Sequence, residues 1–294
     1  MRSSPASTAW VMPVSSLTAI LLYRTICVKE DIMIATGLHS LMELPEGRFD
    51  GHCHVFDAGR PMAEGRRYTP GYDATPEELC SHLKAFNLRG ALLVQPSFYG
   101  SDNSFMLETL DALQGRDDLS FRGVVVLDPG FAPDFGALRA LAARGITGLR
   151  LNLLRRAEGF DHGLWQPLLS AVDSLGWHIE LHVEEQHLPR LLPEFMRLYS
   201  KVVLDHYGLV TSTEDNDGLR AILDQPRDRL WVKTSAVYRV HPRADRSKDV
   251  ARMAPLRDLL ADHLGDDRLI WGSDWPFTQF EHQMSYDLAH RLAG

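Results

Sequence analysis

Apolar and polar positions along the chain predict a regular succession of short strands and longer helices. The stretch GALLVQPS (90–97) is short, apolar and closed by polar residues, which is typical of a buried parallel strand. The stretch TPEELCSHLKAF (75–86) spaces its apolar residues three and four apart, with Thr75 as N-cap and Pro76 in the first turn. From Arg48 onward such a pair recurs eight times within about 245 residues.

Eight strand–helix pairs of this length predict a (β/α)8 TIM barrel, an α/β fold that forms one domain over residues 48–294. A doubly wound open sheet is the alternative. The barrel is favoured because polar residues follow many different strands, and a barrel gathers those strand ends around one pocket. The chain ends twenty residues after Asp274, so we expect an incomplete last helix.

The first 42 residues do not follow this repeat. Their apolar run TAILLY (18–23) is short and no A-x-A cleavage site follows it. We interpret residues 1–42 as a poorly ordered extension outside the barrel, upstream of a start at Met33 or Met42. A signal or targeting segment is the alternative.

Alternation within the strands predicts which side chains point into the barrel. In ITGLRLNLL (146–154), Leu149, Leu151 and Leu153 share the face toward the helices, so Arg150 and Asn152 point toward the axis. In FDGHCHVFD (49–57), His52 and His54 share the inward face with Asp50, whereas Cys53 points toward the helices. The inward face of HIELHVEE (178–185) carries His178, Glu180, His182 and Glu184. Such a face is costly to bury unless it is hydrogen-bonded or functional.

Composition argues against several classes of partner and of structural site. The formal net charge is −8 and no run of lysine and arginine stands out, which argues against a nucleic-acid surface. Three cysteines without a CxxC motif argue against a disulfide framework or a cysteine zinc site, and they suit the cytoplasm. No apolar run reaches the roughly 18 residues of a membrane span. The oligomeric state is left open.

The histidines and one aspartate resemble a known constellation. The H-x-H pair, His52 and His54, lies on the first predicted strand. His182 lies on the fifth strand, His206 on the sixth and Asp274 on the eighth. This set resembles the amidohydrolase superfamily. FDGHCHVFD, VVLDHYG and WGSDWP are similar to its branch of 2-pyrone-4,6-dicarboxylate lactonase-like enzymes and sugar lactonases. The resemblance covers residues 48–294.

The resemblance implies a hydrolase that opens a carboxylated lactone in the catabolism of aromatic compounds. Asp274 would activate the attacking water, while His52, His54 and His182 would polarise the ring carbonyl. We expect Asp205 to be a structural hydrogen-bond acceptor.

A second group of residues is similar to the substrate-binding pattern of the same branch. Guanidinium groups bind carboxylates through paired hydrogen bonds, so a dicarboxylate lactone requires several of them. The implied binding residues are Arg150, Arg156, Arg239, Tyr68 and Ser97. Since Arg155 precedes Arg156, it is an equal candidate for that position.

The possible functions of such a barrel differ in whether they require a metal ion. The fourth strand has no lysine that could bridge two metals, so a binuclear site is not expected. We expect no obligatory cofactor. The alternative is one zinc or manganese ion held by His52, His54, His182 and Asp274. The competing functions are a metal-dependent decarboxylase, a sugar-acid lactonase and a non-catalytic barrel that binds an aromatic acid.

Overall fold

The computed structural model of the chain describes residues 37–130, 134–214, 216–242 and 245–292. Eight parallel strands form one sheet in sequential order. The strands are β1 (Asp50–Cys53), β2 (Gly90–Val94), β3 (Ser120–Val125), β4 (Ile146–Asn152), β5 (His178–His182), β6 (Val202–Leu204), β7 (Leu230–Ser235) and β8 (Leu269–Gly272). The predicted (β/α)8 barrel is confirmed.

The first and last strands meet and close the barrel. The backbone N–H of Asp274 donates to the carbonyl of His52 at 2.7 Å, and that of His54 donates to Trp275 at 2.8 Å. A Cβ at Gly272 would lie only 2.6 Å from the Cβ of His52. Glycine therefore allows β8 to approach β1 closely enough for these bonds.

Helices connect the strands and pack outside the barrel. They are α1 (Pro76–Ala85), α2 (Ser104–Leu113), α3 (Phe135–Ala143), α4 (His162–Ser174), α5 (Leu188–Leu198), α6 (Asp217–Leu223), α7 (Val237–Val240), α8 (Asp249–Leu264) and α9 (Tyr286–Arg291). Thr75 caps α1 as predicted, in a reciprocal capping box with Glu78. Within the described ranges, no helix is both long and apolar enough to cross a membrane.

The interior of the barrel has two layers of opposite character. The lower layer is apolar and consists of Leu38, Leu41, Phe49, Leu92, Val94, Val124, Val203, Trp231 and Ile270. The upper layer is polar and buried, and consists of His52, Arg150, Glu180, His182, Asp205, His206, Lys233 and Asp274. The upper layer lies toward the carboxyl ends of the strands, where barrels carry their active sites.

Part of the segment predicted to lie outside the barrel packs against its lower end. Residues 37–41 are helical, and Leu38 and Leu41 belong to the lower layer. The indole N–H of Trp231 donates to the hydroxyl of Ser40 at 2.7 Å. The described part of the predicted extension thus covers apolar side chains that water would otherwise reach. Residues 1–36 of the extension, with TAILLY and Met33, lie outside the described residues.

One inward position on β1 was predicted wrongly. Between Asp50 and Cys53 the register with β2 shifts by one residue, which is the mark of a β-bulge. The bulge changes the alternation, and the Asp50 carboxylate accepts a hydrogen bond from the hydroxyl of Tyr286 on α9, at 2.7 Å. His52 lies within the bulged stretch and His54 after it, and both point inward as predicted.

Candidate active site

A cavity of about 290 Å³ opens at the carboxyl ends of the strands. His52 lies directly beneath it and is completely buried. The polar lining comprises His54, Arg67, Tyr68, Ser97, Arg150, Asn152, Arg155, His182, His206, Arg239, Asp274, Thr278 and Gln279. Of the residues predicted for the site, Arg156 lies apart, in a neighbouring cavity of about 280 Å³ that shares Arg67 and Arg150 with the first.

Asp274 occupies the base of the cavity, just beyond the end of β8. Its φ of 59° lies in the left-handed region, which non-glycine residues rarely adopt. Its Oδ2 accepts hydrogen bonds from the hydroxyl of Tyr238 at 2.5 Å and from Nε of Arg239 at 2.7 Å. Its Oδ1 faces Nε2 of His54 at 3.1 Å and Nε2 of His52 at 3.6 Å. One oxygen is therefore fixed, and the other faces the histidines.

The environment of Asp274 keeps its carboxylate ionised. Burial alone would raise the pKa of this group, but Arg239, His206 and the two H-x-H histidines hold the pKa well below its usual range. His206 lies on the same cavity and also has a left-handed φ, of 53°. Strained backbone at two strand ends of one pocket is typical of a functional site.

The hydrogen bonds of His54 define which nitrogen faces Asp274. Its Nδ1 donates to the carbonyl of Val94 at 2.7 Å, so Nε2 of the neutral ring carries a lone pair. That nitrogen and Oδ1 of Asp274 then face each other as two acceptors across 3.1 Å. A proton or another cation shared between them would satisfy both.

His52 and His182 have the opposite tautomer, assigned from their partners. Lys233 donates to Nδ1 of His52 at 3.0 Å, and Arg150 donates to Nδ1 of His182 at 3.1 Å. Lysine and arginine can only donate, so each ring carries its hydrogen on Nε2. Burial, followed by Lys233, lowers the pKa of His52 to about 4, and burial with Arg150 holds the pKa of His182 well below its usual range.

The charges of the upper layer balance. Nζ of Lys233 lies 2.5 Å from Glu180, Nε of Arg150 lies 2.8 Å from Asp205, and Arg239 pairs with Asp274. Three buried carboxylates are thus matched by three cations, as buried charges require. The prediction that Asp205 is a structural acceptor agrees with its bond to Arg150.

Positive charge remains unmatched at the mouth of the cavity. Arg67 donates to the amide oxygen of Asn152 at 3.2 Å, and Arg155 is exposed beside it. Among the described residues, neither guanidinium lies within ion-pair distance of a carboxylate. Partial burial lowers the pKa of Arg67, as do Arg150, Arg155 and the other nearby arginines. An anionic ligand would relieve this repulsion.

The other predicted binding residues differ in whether their polar groups already bind other protein groups. Ser97 is exposed to the cavity. Tyr68 lines it but donates its hydroxyl hydrogen to Glu281 at 2.8 Å. Arg239 lines it while holding Asp274 and the hydroxyl of Thr278.

The amidohydrolase family model matches residues 49–293. The chain belongs to the amidohydrolase family.

Two curated relatives and one solved structure in this family are similar over most of the chain. A 4-sulfomuconolactone hydrolase of Hydrogenophaga intermedia is 28% identical, covering 81% of this chain and 77% of its own. A 2-pyrone-4,6-dicarboxylate hydrolase of Comamonas testosteroni is 29% identical, covering 83% and 82%. The structure of a probable 2-pyrone-4,6-dicarboxylic acid hydrolase from Acinetobacter baumannii, with citric acid bound, is 33% identical with a TM-score of 0.73, covering 83% of this chain and 90% of that one. The family resemblance drawn from H-x-H and WGSDWP is confirmed.

Members of this superfamily often hold a metal ion, and side chains that could hold one are present. Ligand atoms of His52, His54 and Asp274 lie within 4.8 Å of one another. In the tautomers assigned above, however, His52 and His182 present N–H groups, which cannot bind a metal. Only His54 and Asp274 of the four predicted ligands then offer lone pairs, and a protein zinc site needs at least three ligands. The predicted set does not fit a metal in this hydrogen-bonding arrangement.

Three residues of the site were missed at the sequence level. Lys233 could have been found, because Trp231, Lys233 and Ser235 alternate inward along β7 as the rule for strands requires. Tyr238 and Arg67 lie after strands, in segments without a periodic signal. Their positions depend on the fold of those segments.

Proposed function

We propose that the protein hydrolyses a lactone that carries additional carboxylate or similar anionic groups, of the 2-pyrone-4,6-dicarboxylate type. The observation that carries this proposal is a buried, ionised Asp274 at the base of a cavity, in a chain of net charge −8. At the mouth of that cavity, Arg67 and Arg155 have no carboxylate within ion-pair distance among the described residues. The names of the two curated hydrolases support the same reaction class. Aromatic catabolism is the proposed setting.

Asp274 acts as the general base in this proposal. Its Oδ1 accepts a proton from water while the water oxygen attacks the ring carbonyl carbon. The adjacent lone pair of His54, 3.1 Å away, shares that proton, so a carboxylate of low pKa need not hold it alone. Tyr238 and Arg239 fix the other oxygen and thereby aim the base.

His182, which lines the cavity, donates to the carbonyl oxygen on which negative charge develops, and His52 adds the dipole of its N–H from beneath the cavity. Their Nε2–H groups are buried and have no hydrogen-bond partner among the described residues. Preorganised donors of this kind are worth more in a dry site than in water. As the ring C–O bond breaks, the ring oxygen of an enol lactone leaves as an enolate, which takes a proton and becomes a ketone.

The anionic groups of the substrate bind at the mouth. Among the described residues, no carboxylate forms an ion pair with the guanidinium of Arg67 or Arg155, and Ser97 adds a hydroxyl. Arg150, Arg239 and Tyr68 line the same cavity and extend this surface, although each already binds a protein group. Arg156 contributes from the neighbouring cavity to a substrate long enough to reach it.

We further propose that the reaction needs no metal, because the assigned tautomers of His52 and His182 leave too few ligands. A metal-dependent decarboxylase of the same superfamily would require the opposite tautomers.

The test is turnover of a lactone panel by purified protein whose metal content has been measured. The panel contains 2-pyrone-4,6-dicarboxylate, a monocarboxylated lactone and a neutral sugar lactone, each assayed with and without a chelator. We expect hydrolysis of the dicarboxylate, unchanged by chelation. Preference for the neutral lactone would refute the substrate class, and activity that depends on added zinc or manganese would refute the metal-free reaction.

A further inference from the structure

Lys233 lies on β7 beneath the cavity, completely buried, and takes no direct part in the proposed reaction. Its Nζ lies 2.5 Å from Oε1 of Glu180, 3.0 Å from Nδ1 of His52 and 3.5 Å from Oδ1 of Asp205. An ammonium group has three hydrogens to donate and accepts none. Lys233 therefore joins two buried carboxylates to the inner nitrogen of one histidine of the H-x-H pair.

A second partner for that nitrogen is within reach. Oδ1 of Asp205 lies 3.3 Å from Nδ1 of His52. Yet this oxygen has no hydrogen-bond partner among the described residues, and neither does Nε2 of the same histidine. His52 thus has two available arrangements. Either Lys233 donates to Nδ1 and the hydrogen is on Nε2, or Nδ1 donates to Asp205 and Nε2 presents a lone pair.

The two arrangements have different chemistry. With its hydrogen on Nε2, His52 is a hydrogen-bond donor beneath the cavity. With a lone pair there, it would join Nε2 of His54 and Oδ1 of Asp274, whose atoms are already close enough to hold an ion. The choice between a hydrogen-bonding site and a metal site then depends on one buried ammonium group.

We propose that Lys233 is a positioning residue that makes this choice. By donating to Nδ1 it keeps the hydrogen of His52 on Nε2 and withholds the lone pair that a metal ion would need. The inference rests on the proposed function only in taking this cavity as the active site. Neither the tautomer nor the metal affinity depends on which lactone is hydrolysed.

The test variant removes Lys233 without leaving a buried charge. Lys233→Met alone would strand the carboxylate of Glu180, and the protein could fail to fold for that reason alone. The double variant K233M/E180Q removes both charges, while Asp205 keeps its bond to Arg150. Glu180→Gln alone retains Lys233 and its bond to His52. Lys84→Met, on the exposed face of α1, controls for loss of a lysine elsewhere.

The first readout is the tautomer of His52, from two-bond 15N–1H correlation spectra of the full chain labelled on histidine. The His52 signals are assigned by their loss in His52→Gln. We expect the hydrogen on Nε2 in the wild type, in Glu180→Gln and in Lys84→Met, and on Nδ1 in the double variant. A wild-type spectrum with the hydrogen on Nδ1 would overturn the proposal.

The second readout is zinc binding by calorimetry on protein stripped of metal. The double variant should bind zinc about 10–100-fold more tightly than the wild type, the range found when groups around metal ligands are altered. Where a lactone is hydrolysed, kcat of the double variant should fall by about the same factor with KM unchanged, because Lys233 does not touch substrate. Zinc affinity within twofold of the wild type would overturn the proposal, even if lactone turnover were lost.

Discussion

The two interior layers lie at opposite ends of one barrel and are equally buried, yet they are held together by different forces. The lower layer is apolar, from Leu38 to Ile270, and its burial removes hydrocarbon from water. The upper layer matches Glu180, Asp205 and Asp274 with three cations. Buried ion pairs of this kind often stabilise a fold no more than well-packed apolar residues would.

The cost of burying the charges of the upper layer indicates that function is located there. Buried charges with such a desolvation cost are typical of sites where they bind or react with a substrate, and barrels carry those sites at the carboxyl ends of their strands. The lower layer should therefore respond to substitution mainly in stability, and the upper layer mainly in activity.

The largest effect is expected at Asp274. Asp274→Asn keeps the shape of the side chain but removes the base, so kcat should fall by about 10²–10⁴-fold. Steady-state kinetics measure this on any lactone that the wild type hydrolyses. Substrate binding should persist. If kcat fell less than about tenfold, the base would have to be another group.

Phe49 tests the lower layer. It is 1% exposed within the barrel, and Phe49→Ala should lower the free energy of unfolding by about 3–5 kcal/mol, from lost burial and the cavity left behind. Urea denaturation measures the loss, and kcat measured where the variant is folded should change little. A large loss of kcat in the folded variant would mean that the layers are not separable.

The pH dependence of stability should come from the upper layer. Folding lowers the pKa of His52 from 6.5 to about 4, mainly through burial, so the unfolded chain takes up a proton that the folded chain excludes. This stability is fully present above pH 6.5 and is lost as the pH falls toward 4, by about 3 kcal/mol for His52 alone. His178, His182 and His206 are shifted in the same direction.

Chemical denaturation at pH 7 and near pH 4.5 measures the effect. A matched variant, His52→Gln, should lose part of the pH dependence. Equal stability at the two pH values would contradict the assignment of neutral, buried histidines.

The sequence predicted the fold well because the barrel repeat is a local signal. Alternation placed Arg150 and His182 correctly, but it failed at Asp50, since a bulge is a departure from the alternation that the prediction assumed. The charge partners were harder to predict. Arg239 pairs with Asp274 and Arg150 with Asp205 only because distant strand ends meet, and such contacts leave no periodic trace in the chain.

The smallest effect is expected at the mouth of the cavity, where Arg67 forms no ion pair with a carboxylate of the described residues. Arg67→Met should raise KM for a dicarboxylate lactone by about tenfold, the lower end for a lost hydrogen bond to a charged group, because the site is open to water. KM for a neutral lactone should be unchanged. The control is Arg197→Met, since that exposed arginine on α5 lines neither the Asp274 cavity nor its neighbour. At about 1 M salt, where charges are screened beyond about 3 Å, the difference between the two variants should shrink. A loss that persisted unchanged in salt would mean that Arg67 acts through its bond to Asn152, as a support for the loop and not as a binding group.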